Sequence, residues 1–157
     1  MKTEELSFSL VKLLKSAQKT VASAESCTGG GIGHALTAVP GSSAVYAGGV
    51  ISYTNAVKER VLNVPAETLE KYGAVSPETA EYMAKGARDL MMSDYAVSVT
   101  GIAGPDGDGS GKPVGLVYIG IASNEGVQTH EFVFRGDRSA VREQAVRAAL
   151  ELILAEL

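Results

Sequence analysis

The sequence predicts an α/β protein, a three-layer α/β/α sandwich around a mixed sheet of about five strands. Segments with apolar residues at helical spacing alternate along the chain with short runs rich in β-branched residues. Two of these runs, 116–122 and 127–134, flank the turn sequence Ser123-Asn124-Glu125-Gly126 and should form an antiparallel hairpin. Because 157 residues suffice for one compact core, we expect a single domain over residues 1–157.

The helix signals include three recognisable starts. Asn55 is a suitable N-cap for a short helix, and Asp137 can cap the last helix of the chain. Ser76 followed by Pro77 places a capping hydroxyl before a proline at the first helical position. The predicted helices are 4–18, 32–39, 55–62, 66–72, 76–92 and the segment after Asp137. Their clearest buried stripes are Leu6, Leu10, Leu13 and Ala17; Ala80, Met83, Ala87 and Leu90; and Val141, Ala145, Ala148 and Leu152.

The strand signals are short runs bounded by turn residues. In one of them Gly48 and Gly49 indicate a bulge or a close approach of another backbone. The predicted strands are 20–25, 45–53, 95–100, 116–122 and 127–134. Exposed apolar residues of the second run would suit a subunit interface, so we expect a homo-oligomer.

Charge and composition argue against several classes of protein. The net charge is −4 and the basic residues are scattered among acidic ones, which disfavours a nucleic-acid partner. The chain lacks the roughly 20-residue apolar stretch of a membrane span and the pattern of a secretory signal, so we expect no membrane partner and a cytoplasmic location. Cys27 is the sole cysteine and His34 and His130 are the only histidines, which predicts neither a disulfide nor a metal site; we expect no cofactor.

The turn after the first predicted strand is the first candidate site. Ser26 and Thr28 could turn their hydroxyls toward an anion there, because the N–H groups at a helix start are unpaired and Gly29 to Gly31 allow close approach. The turn matches no known phosphate-binding fingerprint. An ordinary capped turn with glycines for packing explains the same residues equally well.

Lys58 is a candidate base. It falls in the first turn of the helix after Tyr53, where the helix dipole disfavours a cation and lowers the lysine pKa. A neutral lysine can activate a serine hydroxyl where no histidine is suitably placed. Judged alone, a solvated surface lysine is the commoner explanation.

Two further segments carry candidate binding residues. The glycine-rich loop after Thr100 and Gly101 is longer than most connections, and long loops in compact domains are often functional. It is no calcium loop, because Val117 stands where an EF-hand requires glutamate. Arg138 and Arg142 lie one turn apart on the last helix and could clamp a phosphate together, or pair with nearby acidic side chains.

Six sequence blocks, taken together, resemble the CinA C-terminal domain family over nearly the whole chain. The blocks are Ala24-Glu25-Ser26-Cys27-Thr28-Gly29-Gly30, Pro40-Gly41-Ser42-Ser43, Tyr53-Thr54-Asn55 with Lys58, Gly73-Ala74-Val75-Ser76, Thr100-Gly101-Ile102-Ala103-Gly104-Pro105 and Gly136-Asp137-Arg138. The resemblance implies an amidohydrolase that converts nicotinamide mononucleotide to nicotinate mononucleotide and ammonia in pyridine-nucleotide salvage. Some members carry a further N-terminal domain, which we do not expect here. The site residues that the resemblance implies are Ser26, Thr28, Gly29, Ser42, Ser43, Tyr53, Lys58, Thr100, Gly101 and an arginine at Arg138 or Arg142.

Our hypothesis for the reaction is nucleophilic attack by Ser26 with Lys58 as base, while Tyr53 either orients Lys58 or donates a hydrogen bond. Ser43, Cys27 or a directly attacking water remain alternatives for the nucleophile. A different class of function is also open, namely a non-catalytic nucleotide-binding or interaction module linked to competence or DNA damage. The convergence of Lys58 and a serine in one pocket would favour the enzyme.

Overall fold

A five-stranded mixed sheet runs through the middle of the computed structural model, which describes residues 1–157. Its strands, in the spatial order β2-β1-β3-β4-β5, are β1 (Val21–Glu25), β2 (Tyr46–Ile51), β3 (Tyr95–Gly101), β4 (Leu116–Ser123) and β5 (Gly126–Val133). The first three run parallel to one another. β4 is antiparallel to β3, and β4 and β5 form the predicted hairpin.

Six helices cover the two faces of the sheet, which confirms the predicted three-layer α/β/α sandwich. The helices are α1 (Thr3–Ala17), α2 (Gly31–Thr37), α3 (Asn55–Leu62), α4 (Ala66–Tyr72), α5 (Pro77–Met91) and α6 (Arg138–Ala155). On one face α1, α2 and α6 bury a large apolar cluster that includes Leu10, Ile119 and Leu150. On the other, α3, α4 and α5 bury a smaller one that includes Leu62 and Met83. Each fully buried side chain of this size contributes about 2 kcal/mol.

The helix starts follow the predictions except at α3. Ser76 Oγ accepts from the N–H of Thr79, and Asp137 Oδ1 accepts from the N–H of Ala140, as expected of N-caps. At α3 the cap is Thr54, whose hydroxyl accepts from the N–H of Val57 at 3.3 Å, and the prediction of Asn55 is wrong by one residue. Thr54 keeps extended backbone angles after β2, which is the conformation an N-cap requires.

Some predicted core positions of the helices are exposed. Leu13 and Leu90 have exposed fractions of 44% and 53%, Ala17 is exposed, and Leu152 is only half-buried. In each helix the buried position is the next residue along the chain. A helix repeats every 3.6 residues, so a short apolar pattern is compatible with burial of either residue. The buried or packed residues at those positions are Leu14, Met91 and Ile153.

The carboxyl ends of the three parallel strands meet at one edge of the sheet, where ligands bind in open α/β folds. Two backbone bonds join the segments that leave this edge. The N–H of Ser26 donates to Val99 O at 2.9 Å, and the N–H of Ser52 donates to Glu25 O at 2.7 Å. The chain after β1, the chain after β2 and the loop after β3 are thus brought together by the sheet itself.

Candidate active site

A serine and a lysine are paired at the carboxyl edge of the sheet. Ser26 directly follows β1, and Lys58 projects from α3, which begins shortly after β2. Lys58 Nζ donates to Ser26 Oγ at 3.0 Å and to the backbone oxygen of Ser52 at 2.6 Å. Both side chains are buried, with exposed fractions of 9% for Ser26 and 1% for Lys58. The lysine therefore has a fixed position against the hydroxyl.

Burial lowers the pKa of Lys58 from 10.5 to about 8, partly opposed by the Cys27 thiolate, which would favour the charged lysine. The direction agrees with the sequence prediction, but the main cause is different. The prediction invoked the dipole of α3, whereas desolvation of the ammonium dominates. At pH 7 roughly a tenth of such a lysine is neutral and able to accept a proton.

The turn that carries Ser26 is tied down by a buried carboxylate. Glu25, 2% exposed, accepts from the hydroxyl of Thr28 at 2.7 Å and from the N–H groups of Ile32 and Gly33 at 2.9 and 3.1 Å. The proton of the Thr28 hydroxyl is thus donated within the turn, to Glu25, and not to a bound anion as predicted. Sequence reasoning missed Glu25 as a functional support. A lone acid between a buried strand and a glycine-rich turn was the available signal.

Cys27 borders the same site, and its thiol is protonated at neutral pH. Burial raises the pKa of Cys27 from 9.0 to about 11. A thiol is a good nucleophile only as the thiolate. The geometry and the pKa therefore favour Ser26 over Cys27 as the nucleophile.

Ser26 and Lys58 open into a pocket bounded by all three segments of this edge. Tyr53 lies on the β2 side, Thr100 and Gly101 lie at the end of β3, and Arg138 comes from the first turn of α6. The pocket is completed by Cys27, Asn55, Ala74, Val75, Ile102, Ala103, Gly104, Asp106, Gly107 and Asp108. Only glycine fits at 101, since a Cβ there would lie 2.6 Å from a methyl group of Val117.

A guanidinium group bridges two walls of the pocket. Arg138 Nη1 donates to Gly104 O, and Nη2 donates to the Tyr53 hydroxyl, both at 2.8 Å. Tyr53 therefore pairs with Arg138, and the expectation that it orients Lys58 is wrong because the two contacts of Lys58 Nζ are Ser26 and Ser52. A guanidinium has five N–H donors, so Arg138 retains donors for an anion.

The family model described as the CinA C-terminal domain matches residues 3–157. The chain belongs to this CinA family. The match covers nearly the whole chain and confirms the resemblance carried by the six sequence blocks.

Individual CinA relatives agree with the family match. The chain is 49% identical over 150 residues to a CinA-like protein of Parasynechococcus marenigrum, covering 94% of this chain and 36% of that protein. The crystal structure of competence/damage inducible protein CihA from Agrobacterium tumefaciens superposes with a TM-score of 0.94 at 44% identity, covering 98% of this chain and 94% of that one. For the competence-damaged protein (CinA) superfamily protein from Escherichia coli the TM-score is 0.97 at 35% identity, with coverages of 99% and 91%. The chain spans about a third of the length of the curated relatives that it matches.

Several residues expected in the CinA site lie outside the pocket. Ser42 and Ser43 belong to a short 3-10 helix before β2, at the amino ends of the strands and hence at the edge opposite Ser26. Arg142 donates to Cys27 O at 3.0 Å and to Thr28 O at 3.2 Å, supporting the turn from outside. Gly29 lies against that same guanidinium. The two arginines therefore form no joint clamp, and only Arg138 borders the pocket.

Three further features bear on what this CinA domain could bind. No group of three or more His, Cys, Asp or Glu side chains is arranged to hold a metal ion. None of the helices combines the length and apolar composition that crossing a membrane requires. Neither Arg138 nor Arg142 forms a salt bridge with a neighbouring carboxylate, so their charges are engaged only by neutral oxygens.

Proposed function

We propose that this CinA domain is a serine–lysine amidohydrolase that converts nicotinamide mononucleotide to nicotinate mononucleotide and ammonia. The observation that carries the proposal is the buried contact of 3.0 Å between Lys58 Nζ and Ser26 Oγ at the base of the pocket. Burying a lysine beside a serine, with no carboxylate paired to it, lowers stability. A binding module has no need of that arrangement, whereas a hydrolase uses it to generate a nucleophile.

The first half of the reaction is transfer of the acyl group to the enzyme. Neutral Lys58 takes the proton of Ser26 as the Oγ attacks the carboxamide carbon, forming a tetrahedral intermediate. The bond from carbon to nitrogen then breaks while Lys58 returns its proton to the departing nitrogen, which leaves as ammonia. The backbone N–H groups of the turn after Ser26 are the proposed donors to the oxyanion. The carbonyl of Ser52 keeps the amine aimed at the serine.

The second half is hydrolysis of the ester formed on Ser26. Lys58, neutral again, takes a proton from water as the water oxygen attacks the acyl carbon. The bond to Oγ breaks, Oγ recovers the proton held by Lys58, and the carboxylic acid product releases its remaining proton to solvent and leaves as a carboxylate. No metal ion or organic cofactor takes part in either half. A water that attacks the amide directly with help from Lys58 is the alternative route.

The substrate assignment rests on the remaining walls of the pocket. Val75 and Ile102 belong to a small apolar cluster, which suits the flat face of a pyridine ring. Arg138 supplies a cation for the 5′-phosphate. Thr100 and Gly101 line the pocket at the end of β3, where we propose that the ribose lies. A basic group and an apolar wall near a hydrolytic pair are the features that an aromatic mononucleotide requires.

The test is turnover by the purified protein. Wild type, Ser26→Ala, Lys58→Ala and the control Lys85→Ala are incubated with nicotinamide mononucleotide without added metal, and ammonia and nicotinate mononucleotide are quantified. Lys85 is exposed and pairs with Asp89 on α5, away from the pocket. We expect turnover by wild type and the control, with a loss of at least about 1,000-fold in the two site variants. Absence of wild-type turnover would reject the assignment. Turnover that survives Ser26→Ala would assign the attack to water or to Cys27, which also borders the pocket.

A further inference from the structure

Four consecutive carbonyl oxygens between α4 and α5 each accept a hydrogen bond from a side chain. We call residues 72–75 the wall segment. Five such bonds reach it: from Lys112 Nζ to Tyr72 O at 2.9 Å, from Ser76 Oγ and Thr79 Oγ1 to Gly73 O at 3.0 and 2.7 Å, from Thr100 Oγ1 to Ala74 O at 2.7 Å and from Lys112 Nζ to Val75 O at 2.5 Å. A short connection is thus immobilised by side chains from three other parts of the chain.

The wall segment forms one side of the pocket. Ala74 and Val75 border it, and Val75 packs with Ile102 from the glycine-rich loop. Displacement of the segment by even an ångström would change the fit of a ligand, because binding sites depend on geometry at that scale. Whatever fixes the wall segment therefore fixes the shape of the pocket.

Lys112 makes two of the five bonds and comes from the glycine-rich loop itself. The outer part of that loop is unpacked, since a Cβ at Gly107, Gly109 or Gly111 would meet no atom within 4 Å. At Lys112 the loop is again bonded to the rest of the protein. The ammonium of Lys112 has no carboxylate partner within salt-bridge distance. Both of its hydrogen bonds go to the wall segment.

We infer that Lys112 is a positioning residue that joins the glycine-rich loop to the wall segment and thereby sets the affinity of the pocket for its ligand. It touches neither Ser26 nor Lys58, so it acts on binding and leaves the hydrolytic pair in place. The part of this inference that concerns affinity rests on the proposed function. The part that concerns the wall segment does not.

The structural part is tested by backbone relaxation in NMR. Lys112→Met keeps the aliphatic stem and removes both hydrogen bonds, while Lys85→Met removes an exposed ion pair on α5 as the matched control. We expect order parameters at residues 73–75 to fall from about 0.85 to below about 0.6 in Lys112→Met, and to stay unchanged in the control. Melting temperatures of both variants show that each is folded. Unchanged order parameters in Lys112→Met would overturn the inference.

The affinity part is tested by steady-state kinetics on nicotinamide mononucleotide. We expect Lys112→Met to raise KM at least about 10-fold and to change kcat less than about 3-fold, with partial recovery in Lys112→Arg. A variant that lost kcat at constant KM would contradict the assigned role. If the wild type lacks turnover, the proposed function fails, and the relaxation measurement still decides whether Lys112 holds the wall segment.

Discussion

Lys58 Nζ lies 3.0 Å from Ser26 Oγ, although the two residues come from different elements on either side of β2. The contact exists because β1 and β2 are parallel and end at the same edge of the sheet. Its chemistry depends on the protonation state of the amine, which the surroundings have shifted toward neutrality. The first two predictions follow from that shift.

The activity should rise with pH through the pKa of Lys58. The base must be neutral, and burial lowers its pKa to about 8, so kcat/KM should increase tenfold per pH unit below that value and level off above it. The measurement is a profile of kcat/KM for nicotinamide mononucleotide between pH 6 and 10. A profile that is flat across pH 8 would contradict the role of Lys58 as base.

The stability should also depend on Lys58 at alkaline pH. Its pKa is lower in the folded protein than in the unfolded chain, so between about pH 8 and 10.5 the unfolded state binds more protons and the free energy of unfolding rises with pH. Relative to Lys58→Met, the wild type should gain up to about 3 kcal/mol over this range. Urea denaturation of both proteins at pH 7 and pH 10.5 measures the difference. A constant difference would mean that the amine is not desolvated.

Removal of the Cys27 thiol should leave most of the activity. The pKa of about 11 keeps the thiol protonated at neutral pH, so Cys27→Ala should change kcat/KM by less than about 10-fold. Alkylation by iodoacetamide at pH 8 should be correspondingly slow. A loss comparable to that of Ser26→Ala would instead identify Cys27 as the nucleophile.

The two arginines of α6 should have separable effects. Arg138→Ala should raise KM for nicotinamide mononucleotide about 100-fold while changing little with nicotinamide riboside, which lacks the phosphate. Arg142→Ala should lower kcat for both substrates alike, because Arg142 holds the carbonyls of Cys27 and Thr28. Kinetics of both variants with both substrates provide the check. Equal effects of Arg138→Ala on the two substrates would show that Arg138 does not bind the phosphate.

Glu25 should be essential to the turn that carries the serine. Glu25→Ala leaves the buried N–H groups of Ile32 and Gly33 without an acceptor, which should cost about 3 kcal/mol of unfolding free energy. Chemical denaturation measures this cost, and Thr37→Ala, which removes an exposed bond at the other end of α2, is the matched control. Equal stabilities of the two variants would show that the carboxylate is dispensable.

Much of the fold could be predicted because local signals and the sheet topology agree. The alternation of elements, the hairpin and the caps Ser76 and Asp137 follow from short-range chemistry. The sequence predicts Lys58 as the base of Ser26, and the structure has the two side chains in contact. The reason for the lowered lysine pKa could not be predicted, since burial is a property of the packed molecule.

The arrangement of the other site residues depended on tertiary structure. Arg138 and Arg142 share a helical face, yet one turn of helix is enough to place one beside the pocket and the other behind the turn. Ser42 and Ser43 lie at the far edge because β2 must begin where β1 begins. Glu25 and Lys112 form hydrogen bonds to backbone atoms. The positions of those backbone atoms depend on the folded chain and cannot be derived from the pattern of side chains.

The glycine-rich loop is anchored at both ends, by Arg138 at Gly104 and by Lys112 at the wall segment, while an added Cβ at Gly107, Gly109 or Gly111 between them would meet no atom within 4 Å. Insertions, deletions and substitutions can therefore accumulate between the anchors without disturbing the hydrolytic pair. Under the proposed function, such a loop would let descendants of one ancestor admit different amides to the same serine–lysine pair. For the protein engineer, it is the natural place to randomise when a new substrate is wanted.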